Sequence, residues 1–458
     1  MTAPPTESTR ATLLALATVF LGQALQANNG NGSPEAWQFL VATLVVSALA
    51  ALGKPWSPLE GLGDVAPVLM LGVGLAIQFA QLATHPPGYY IRPIPGFREF
   101  FAVVAAAAVV SGAALATRPV LGRYHGPVLV GLFAVAAWWV VRASFPPSID
   151  VFLFQQESSR ALLSGQNPYT LTHPNIYGGT AFYGPGTADS RTVFIGFPYL
   201  PLSLLLALPG WLLAGDYRAA QVVACGLAAA AMLVPRQGRL PLLAVATLLF
   251  TPRMFFVIEQ GWTEPFGIAL FALLLVAVVR ESRFRWLALG LLVAWKQYTV
   301  FLLPLAALLF PRPLDWRAYG RLVLGAVAVA TVITLPFFLW DPAAFWRNVV
   351  QFQFVQPFRI EALDFPAWWV SLGHPPFDVV PWMLGSTAIA LLAVLLRAPV
   401  GPSGFAAASA FVYGAFFAFS KQSFCNYWWF VLGMIACGLA ACQVERAPDT
   451  RQPALSDR

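Results

Sequence analysis

Long apolar runs are the feature that most constrains the fold of this sequence. A helix needs ~18 to 20 apolar residues to cross a bilayer core of ~30 Å, and many runs here approach or reach that length. They cover residues 11–27, 36–52, 65–84, 99–117, 127–145, 193–214, 217–235, 240–258, 262–280, 285–310, 319–340, 378–397, 401–420 and 425–442. Because 58% of the 458 residues are hydrophobic and only 10% are charged, the sequence predicts an all-α polytopic membrane protein with about 13 to 14 transmembrane helices.

The composition also argues against several other classes. The net charge of +7 is scattered over short loops, which fits contacts with anionic membrane lipids, and no basic run is long enough to follow a nucleic-acid backbone. All four cysteines lie within or at the ends of apolar runs, where thiols act as small hydrophobic side chains. The four histidines lie far apart, and the large loops contain no Asp-x-Asp or Glu-x-Asp pair. We therefore expect no metal, no other cofactor and no nucleic-acid partner.

Basic loops orient the apolar runs, because lysine and arginine are enriched in cytoplasmic loops. Counted from a cytoplasmic N-terminus, Asp150 and the long loop 146–192 lie outside. Counted back from a cytoplasmic C-terminal tail, the loop 341–377 and the segment 420–426 lie on the same side. The sequence thus predicts one outer face that carries two large loops.

Two apolar runs do not fit a simple crossing. Three runs lie between the Asp150 loop and Gln260, which would put the basic segment 235–239 outside if all of them crossed. One run between 193 and 258 must therefore fail to cross, or that segment faces outward against the charge rule. The run 285–310 holds Lys296 at its centre, which is costly in lipid. We expect this run to be a broken pair of short helices around a polar cavity.

Each outer loop is predicted to carry a helix that lies on the membrane surface. In the first loop, residues 151–164 have an amphipathic pattern, and the turn-forming Gly165 and Pro168 end the helix. In the second loop, an apolar stripe predicts another surface helix, and four prolines interrupt the rest of that loop. The stripe consists of Phe345, Trp346, Val349, Val350 and Phe354. This second loop either packs at the interface, forms a wall of the cavity or contacts an acceptor molecule.

The runs and loops divide the chain into segments with different expected roles. They are N-terminal accessory transmembrane helices (1–126), a catalytic transmembrane module with its outer loop 146–192 (127–340), a second outer loop (341–377), C-terminal transmembrane helices (378–442) and a cytoplasmic tail (443–458). No role is predicted for the first four helices beyond an accessory one.

Polar and aromatic residues collect on the predicted outer face. A carboxylate at the membrane boundary suits a general base, and Lys-Gln pairs flanked by aromatic residues suit a lipid-linked phosphate. The candidate site residues are Asp150, Asn167, Tyr169, His173, Tyr199, Glu259, Gln260, Glu264, Lys296, Gln297, Lys421, Gln422, Asn426 and Tyr427.

Several candidates also have a purely structural interpretation. Asp150 is equally well suited to cap the helix that follows it. Lys296 and Lys421 are the kind of residue that extends its ammonium group from an apolar run to the membrane interface. The sequence Asn167-Pro168-Tyr169 is typical of a turn. The joint position of these residues on one face favours the functional interpretation.

Six segments carry a resemblance to a known family. They are Asp150 after an apolar run, ALLSGQNPY (161–169), FPYLPLSLLLALP (197–209), EQGWTEP (259–265), AWKQYTVFLLP (294–304) and FSKQSFCNYWW (419–429). In this combination the chain resembles a polyprenol-phosphate-sugar-dependent glycosyltransferase of the GT-C superfold, and it is most similar to the family-87 α-mannosyltransferases. The resemblance covers residues 127–442.

The resemblance implies a reaction and its partners. Asp150 is expected to act as the general base, while Lys296 and Lys421, with Gln297 and Gln422, hold the donor phosphate and its lipid. The other candidates are expected to contact the sugar and the acceptor. The donor is a polyprenyl-phosphate hexose, expected to be mannose, and the acceptor is a glycolipid or glycan. Transfer inverts the anomeric centre, without a metal, on the outer face of a bacterial inner or plasma membrane.

Two other classes remain open. A flippase or transporter of a lipid-linked glycan would line its path with the same intramembrane polar residues, although no inverted repeat is evident beyond the two Lys-Gln strings. A polymerase or ligase of the O-antigen type would use arginine and histidine in an outer loop, where this chain offers His173 and Arg191.

Overall fold

The computed structural model describes residues 6–55, 57–91, 97–116, 121–235 and 238–444. Most of the predicted tail 443–458 and part of the basic segment 235–239 lie outside these ranges. The first half contains α1 (Glu7–Ala27), α2 (Pro34–Leu52), α3 (Ser57–Glu60), α4 (Val65–Thr84), α5 (Phe97–Ala113), α6 (His125–Ala143), α7 (Asp150–Leu163), α8 (Pro201–Ala214) and α9 (Arg218–Met232). The second half contains α10 (Arg239–Phe250), α11 (Pro252–Gln260), α12 (Glu264–Val279), α13 (Arg285–Val293), α14 (Leu302–Leu305), α15 (Trp316–Trp340), α16 (Pro342–Trp346), α17 (Phe352–Val355), α18 (Phe365–Ser371), α19 (Val380–Arg397), α20 (Pro402–Ala418) and α21 (Cys425–Ala441).

The regular β-structure within the described residues is one short hairpin-like pair in the first large loop. Strands β1 (His173–Pro174) and β2 (Thr192–Val193) pair in antiparallel register, with His173 opposite Val193. The described chain is otherwise nearly all helical, which confirms the predicted all-α class.

Within the ranges that the structure describes, six helices are long and apolar enough to cross a membrane. They are α1, α2, α4, the continuous segment Gly122–Ala143, α15 and α19. The pair α10 and α11, bent by 49° at Thr251, would make a seventh. The other apolar helices have 17 residues or fewer, and at 1.5 Å per residue they are shorter than a bilayer core of ~30 Å. The structure therefore supports repeated crossing, with fewer full-length spans than the predicted 13 to 14.

The helices run between two ends of one bundle. At the first, which we call the Asp150 end, the N–H of Gly32 donates to the carbonyl of Glu361 over 2.9 Å. At the opposite end, which we call the Arg239 end, Arg239 pairs with Asp64 over 2.8 Å. The N-terminus of α1 lies at this second end, because Ser8 donates to the carbonyl of Gly63.

Helix α8 begins and finishes at the Asp150 end. The carbonyl of Pro198, just before α8, accepts a hydrogen bond from Gln297. The carbonyl of Gly215, just after α8, accepts one from Gln156 of α7. Both contacts are with residues of the same end, so the run 193–214 turns back instead of crossing. This agrees with the first of the two predicted alternatives, in which one run between 193 and 258 fails to cross, and it brings Arg239 to the end opposite Asp150.

The run 285–310 is interrupted as predicted. Helix α13 ends at Val293, and Lys296 adopts an extended conformation (φ −144°, ψ 153°) before a short 3-10 turn. The chain then returns to the Arg239 end, where the carbonyl of Leu308 accepts a hydrogen bond from Gly401. The interruption leaves Lys296 buried inside the bundle, where it pairs with Glu264.

Two apolar cores hold the described chain together. The large one extends from α1 to α21, so the N-terminal helices pack into the same core as the C-terminal ones. The small one lies under the first large loop, where Tyr169 and Phe197 pack with Phe345 and Phe352. The second large loop therefore covers the first, and together they form a layer on the Asp150 end.

The second loop departs from its predicted stripe. Phe345 and Val349 are buried as expected, but Trp346 and Phe354 are 52% and 67% exposed. Phe352 is buried instead, because the face that packs on the first loop also includes Asn348. The helical segment 342–355 thus has two apolar faces. One packs against the first loop, and the other is exposed at the surface.

Asn348 joins the two loops through its fully buried amide. Its Nδ2 donates to the carbonyls of Tyr169 and Ala344, both over 2.7 Å. Its Oδ1 accepts the N–H of Gly196 over 2.7 Å. One side chain therefore satisfies three backbone groups from three separate segments.

We expect Asn348→Ala to lower the free energy of unfolding by about 3 kcal/mol, because it leaves buried backbone groups without partners. Limited proteolysis should then cut within residues 165–200. Gln353→Ala is the control, since that half-buried amide makes a single 3.2 Å hydrogen bond to Pro198. Equal losses for the two variants would contradict the role of Asn348.

Candidate functional site

Asp150 is the first residue of α7 and is partly accessible. Its Oδ1 accepts the N–H of Val151 over 2.7 Å, and its own N–H donates to the phenol oxygen of Tyr177 over 3.3 Å. Ile149 occupies the cap position, so Asp150 is not the capping residue. Within the described part of the chain, Oδ2 makes no hydrogen bond, which leaves one carboxylate oxygen available to a ligand.

The surroundings of Asp150 shift the pKa of its carboxyl group upwards. Burial raises the pKa of the carboxyl group above its usual value, although the Val151 N–H and the charge of Arg359 oppose this shift. Burial, and then the negative charge of Asp150, also raise the pKa of the Tyr177 and Tyr183 phenols. These phenols therefore remain neutral hydrogen-bond donors beside the carboxylate.

Arg359 is a cation of this site that is missing from the candidates predicted from the sequence. Its guanidinium lies 4.5 Å from the ring centre of Phe182 and 5.4 Å from that of Phe424. Its Nε donates to Glu361 over 2.6 Å, and its backbone N–H donates to the carbonyl of Lys421. The sequence did contain a signal for Arg359. Arginine is depleted in outer loops, so an arginine in the loop 341–377, which is predicted to lie outside, indicates a specific role.

Lys296 is buried in an aromatic cage and paired with a carboxylate. Its ammonium lies 2.6 Å from Glu264 Oε1, and the lysine is 3% exposed. Tyr298 also donates to Glu264 Oε1, over 3.3 Å. The ring centres of Tyr199, Trp295, Tyr298 and Tyr427 lie 4.9, 5.3, 5.7 and 5.8 Å from the ammonium. Glu264, predicted to contact sugar or acceptor, is thus the counter-ion of Lys296.

Asp150 and Lys296 approach the same aromatic residues. Tyr199 and Tyr427 border the ammonium of Lys296. Both phenols also interact electrostatically with Asp150. The break at Lys296 and the start of α7 therefore place a carboxylate and a cation around one pair of phenols.

The other predicted phosphate-binding groups are occupied by backbone carbonyls of the second loop or its neighbours. Gln297 donates to Pro198 and Val349, over 2.9 and 3.0 Å. Lys421 donates to the carbonyl of Phe354 over 2.8 Å, and Gln422 donates to the carbonyl of Pro357 over 3.0 Å. These bonds hold the second loop in place. A role in donor binding stays a prediction, and it requires the bonds to open.

Three candidates of the first loop belong to its core. Asn167 Oδ1 accepts the N–H of Tyr169 over 3.0 Å, which forms the turn expected of Asn-Pro-Tyr. Tyr169 is fully buried and donates to the carbonyl of Tyr199 over 2.9 Å. His173 packs on Phe154, and burial lowers its pKa to about 4, so the ring is neutral at neutral pH.

Glu259 anchors a neighbouring loop at the same end. Its carboxylate accepts the N–H groups of Tyr89 and Tyr90, over 2.6 and 2.8 Å, and the hydroxyl of Ser144 over 2.9 Å. A Cβ atom at Gly88 would collide with this carboxylate, so a larger residue there would displace Glu259 from its partners. All of these partners are protein groups, and they give Glu259 a structural task.

The two remaining candidates, Gln260 and Asn426, are buried, at 4% exposure each. Gln260 ends α11, and Asn426 is the second residue of α21. Among the described residues, no group of three histidine, cysteine, aspartate or glutamate side chains is arranged to hold a metal ion.

These features define a class of protein. The described part of the chain is nearly all α, has six or seven helices able to cross a membrane, and carries a covered polar site at one end of the bundle. The chain matches no protein-family model, no curated protein and no solved structure.

Proposed function

We propose that this chain transfers a sugar from a polyprenyl phosphate to a hydroxyl group of a glycolipid or glycan, with Asp150 as the general base. The observation that carries the proposal is the free Oδ2 of Asp150, which lies at the Asp150 end beside the phenols of Tyr177 and Tyr183. The Arg359 guanidinium is close enough to lower the pKa of this carboxyl group. A base such as Asp150 close to a cation such as Arg359 suits a transfer reaction that releases a phosphate.

The proposed step balances one proton and one leaving group. Asp150 Oδ2 accepts the proton of the acceptor hydroxyl as its oxygen bonds to the anomeric carbon. The bond between that carbon and the phosphate oxygen breaks, and its electron pair leaves with the polyprenyl phosphate. A direct displacement inverts the anomeric centre, so a β-linked donor gives an α-linked product.

Cations at the site have a defined task in this step. Negative charge accumulates on the leaving phosphate, and a fixed guanidinium or ammonium stabilises it. Arg359 lies against two aromatic rings, which fixes its orientation, and its ion pair with the half-exposed Glu361 has to open before it binds a phosphate. Lys296 is held by Glu264 and has to exchange that partner to reach a phosphate.

Sugar transfer by the purified protein tests the proposal. Radiolabelled polyprenyl-phosphate mannose, a membrane glycolipid extract and a chelator are incubated with the protein in vesicles. We expect label to move into the glycolipid fraction. A panel of polyprenyl-phosphate hexoses and acceptors extends the assay, and absence of transfer across the panel would contradict the proposal.

One observation favours a transporter of lipid-linked glycans instead. The buried pair of Lys296 and Glu264 lies near two interrupted helices, with breaks at Thr251 and at residues 294–296. Buried charges beside broken helices are typical of transport pathways. Movement of a fluorescent polyprenyl-phosphate glycan across vesicles, retained by Asp150→Asn, would support this second function.

We expect Arg359→Gln to weaken polyprenyl-phosphate binding by about 10- to 100-fold, the effect of losing one or more hydrogen bonds to a charged group. Arg359→Lys should recover only part of the affinity, because lysine lacks the planar pair of donors. Arg191→Gln is the control, since Arg191 is an exposed cation of the first loop. Binding is measured with polyprenyl phosphate in nanodiscs. Equal affinities of Arg359→Gln and Arg191→Gln would remove Arg359 from the site.

A further inference from the structure

A cavity of about 740 Å³ opens at the Arg239 end, far from Asp150. It lies between the connection from α12 to α13, the segment after the 3-10 turn Ala306–Leu309, and the first turns of α15. The candidate site residues predicted from the sequence all lie elsewhere. The cavity is therefore separate from the proposed catalytic site, and the inference drawn from it does not depend on that proposal.

Three arginines line the cavity: Arg283, Arg285 and Arg321. Arg285 is held against the ring of Phe310, with 5.0 Å between guanidinium and ring centre. In the described part of the chain, none of the three forms an ion pair, whereas Arg239 at the same end does. Their donors thus face the cavity without a carboxylate partner.

The two acidic residues of the cavity offset only part of the charge of these three arginines. Asp315 uses its Oδ1 to accept the N–H groups of Arg317 and Ala318 at the start of α15, over 2.9 and 3.0 Å. Glu281 is exposed and forms no ion pair among the described residues. With three cations against two carboxylates, one of which is engaged as a helix cap, the cavity favours an anion.

The remaining walls are apolar. Leu309, Leu322 and Trp286 line the same cavity. Trp286 is 37% exposed, and the adjoining helix α15 carries Leu324 at 71% exposure. An open apolar surface that continues from a cluster of arginines suits a ligand with a charged head and hydrocarbon chains.

We propose that this cavity binds the phosphate headgroup of an anionic membrane lipid. Arginine offers paired donors that match phosphate oxygens, and these bonds are stronger than those between neutral groups. The acyl chains would follow the exposed apolar face of α15. A tryptophan beside the headgroup is the arrangement that aromatic residues adopt at a membrane interface.

Native mass spectrometry of the full chain tests the site, with dioleoylphosphatidylglycerol, dioleoylphosphatidylcholine or inorganic phosphate added to the detergent-solubilised protein. The triple variant Arg283→Gln, Arg285→Gln, Arg321→Gln should bind phosphatidylglycerol at least about tenfold more weakly, because each arginine lost removes charge-assisted hydrogen bonds. The single variant Arg321→Gln should show part of the loss. Its side chain is exposed, so its folding is not at risk.

The matched control removes three charges from the same end without touching the cavity, through Arg280→Gln, Arg317→Gln and Arg397→Gln. The control should keep the affinity of the unmodified chain for phosphatidylglycerol. An equal loss in the control would show unspecific attraction and would overturn the proposal. Equal binding of phosphatidylcholine would also overturn it, and so would inorganic phosphate binding as tightly as the lipid, since the ligand would then be a soluble phosphate.

Discussion

Asp150→Asn should lower the rate of sugar transfer by about 10²- to 10⁴-fold, which is the usual effect of removing a general base. Asparagine keeps the shape of the side chain, and its amide oxygen still accepts the N–H of Val151. It has no basic oxygen to take the proton of the acceptor hydroxyl. Donor binding should therefore persist, because in the proposed step cations hold the phosphate and this carboxylate does not.

The control for this variant is Glu157→Gln on the same helix. Glu157 pairs with Arg160 on the exposed side of α7, where the two side chains are 38% and 59% exposed. Its loss removes one carboxylate from α7 without reaching the site, so transfer should stay at the unmodified rate. Equal transfer by the unmodified chain and Asp150→Asn would contradict the role of Asp150 as base.

The pH dependence of transfer carries a second signature of Asp150. The carboxyl group acts as a base only when it has lost its proton, so transfer falls as the pH drops through its pKa. Because burial raises that pKa, the acid limb should lie above the value of ~3.9 of a free aspartate. Arg359→Gln should move the limb to still higher pH, because the charge of Arg359 lowers the same pKa.

Local sequence signals predicted several elements of the fold correctly. Gly165 and Pro168 follow α7, which ends at Leu163, close to the predicted boundary. The cost of Lys296 in lipid predicted the interruption that the structure has there. The charge rule offered two alternatives, one of which was a run that turns back, and α8 does so. Each signal depends on residues close together in sequence or on one simple count.

Other features depend on contacts between distant residues, which no local pattern reveals. Glu264 and Lys296 lie 32 residues apart and pair only because the broken segment returns beside α12. Arg359 approaches Asp150 because the second loop folds over the first. The same packing explains the error in the second loop, where the choice of buried face depends on Asn348 and its partners in the first loop.

Glu264→Gln should lower the free energy of unfolding by about 3 to 5 kcal/mol, because it leaves a buried ammonium without its counter-charge. Lys296→Met should be costly in the same way, since it leaves the fully buried carboxylate of Glu264. The double variant Lys296→Met, Glu264→Leu removes both charges and should lose less than either single variant. Unfolding free energies from reversible titration with sodium dodecyl sulfate measure this double-mutant cycle.

Two comparisons allow the double-mutant cycle to be interpreted. The exposed pair of Glu157 and Arg160 serves as the reference, and its removal should cost about 0.5 kcal/mol or less. Additive losses in the cycle would contradict a buried ion pair. The same variants also separate stability from donor binding: if Lys296 exchanges Glu264 for the donor phosphate, the double variant is stable but binds polyprenyl phosphate weakly. Normal donor binding by the double variant would leave Lys296 with a structural role alone, and Arg359 would then be the cation that the leaving phosphate requires.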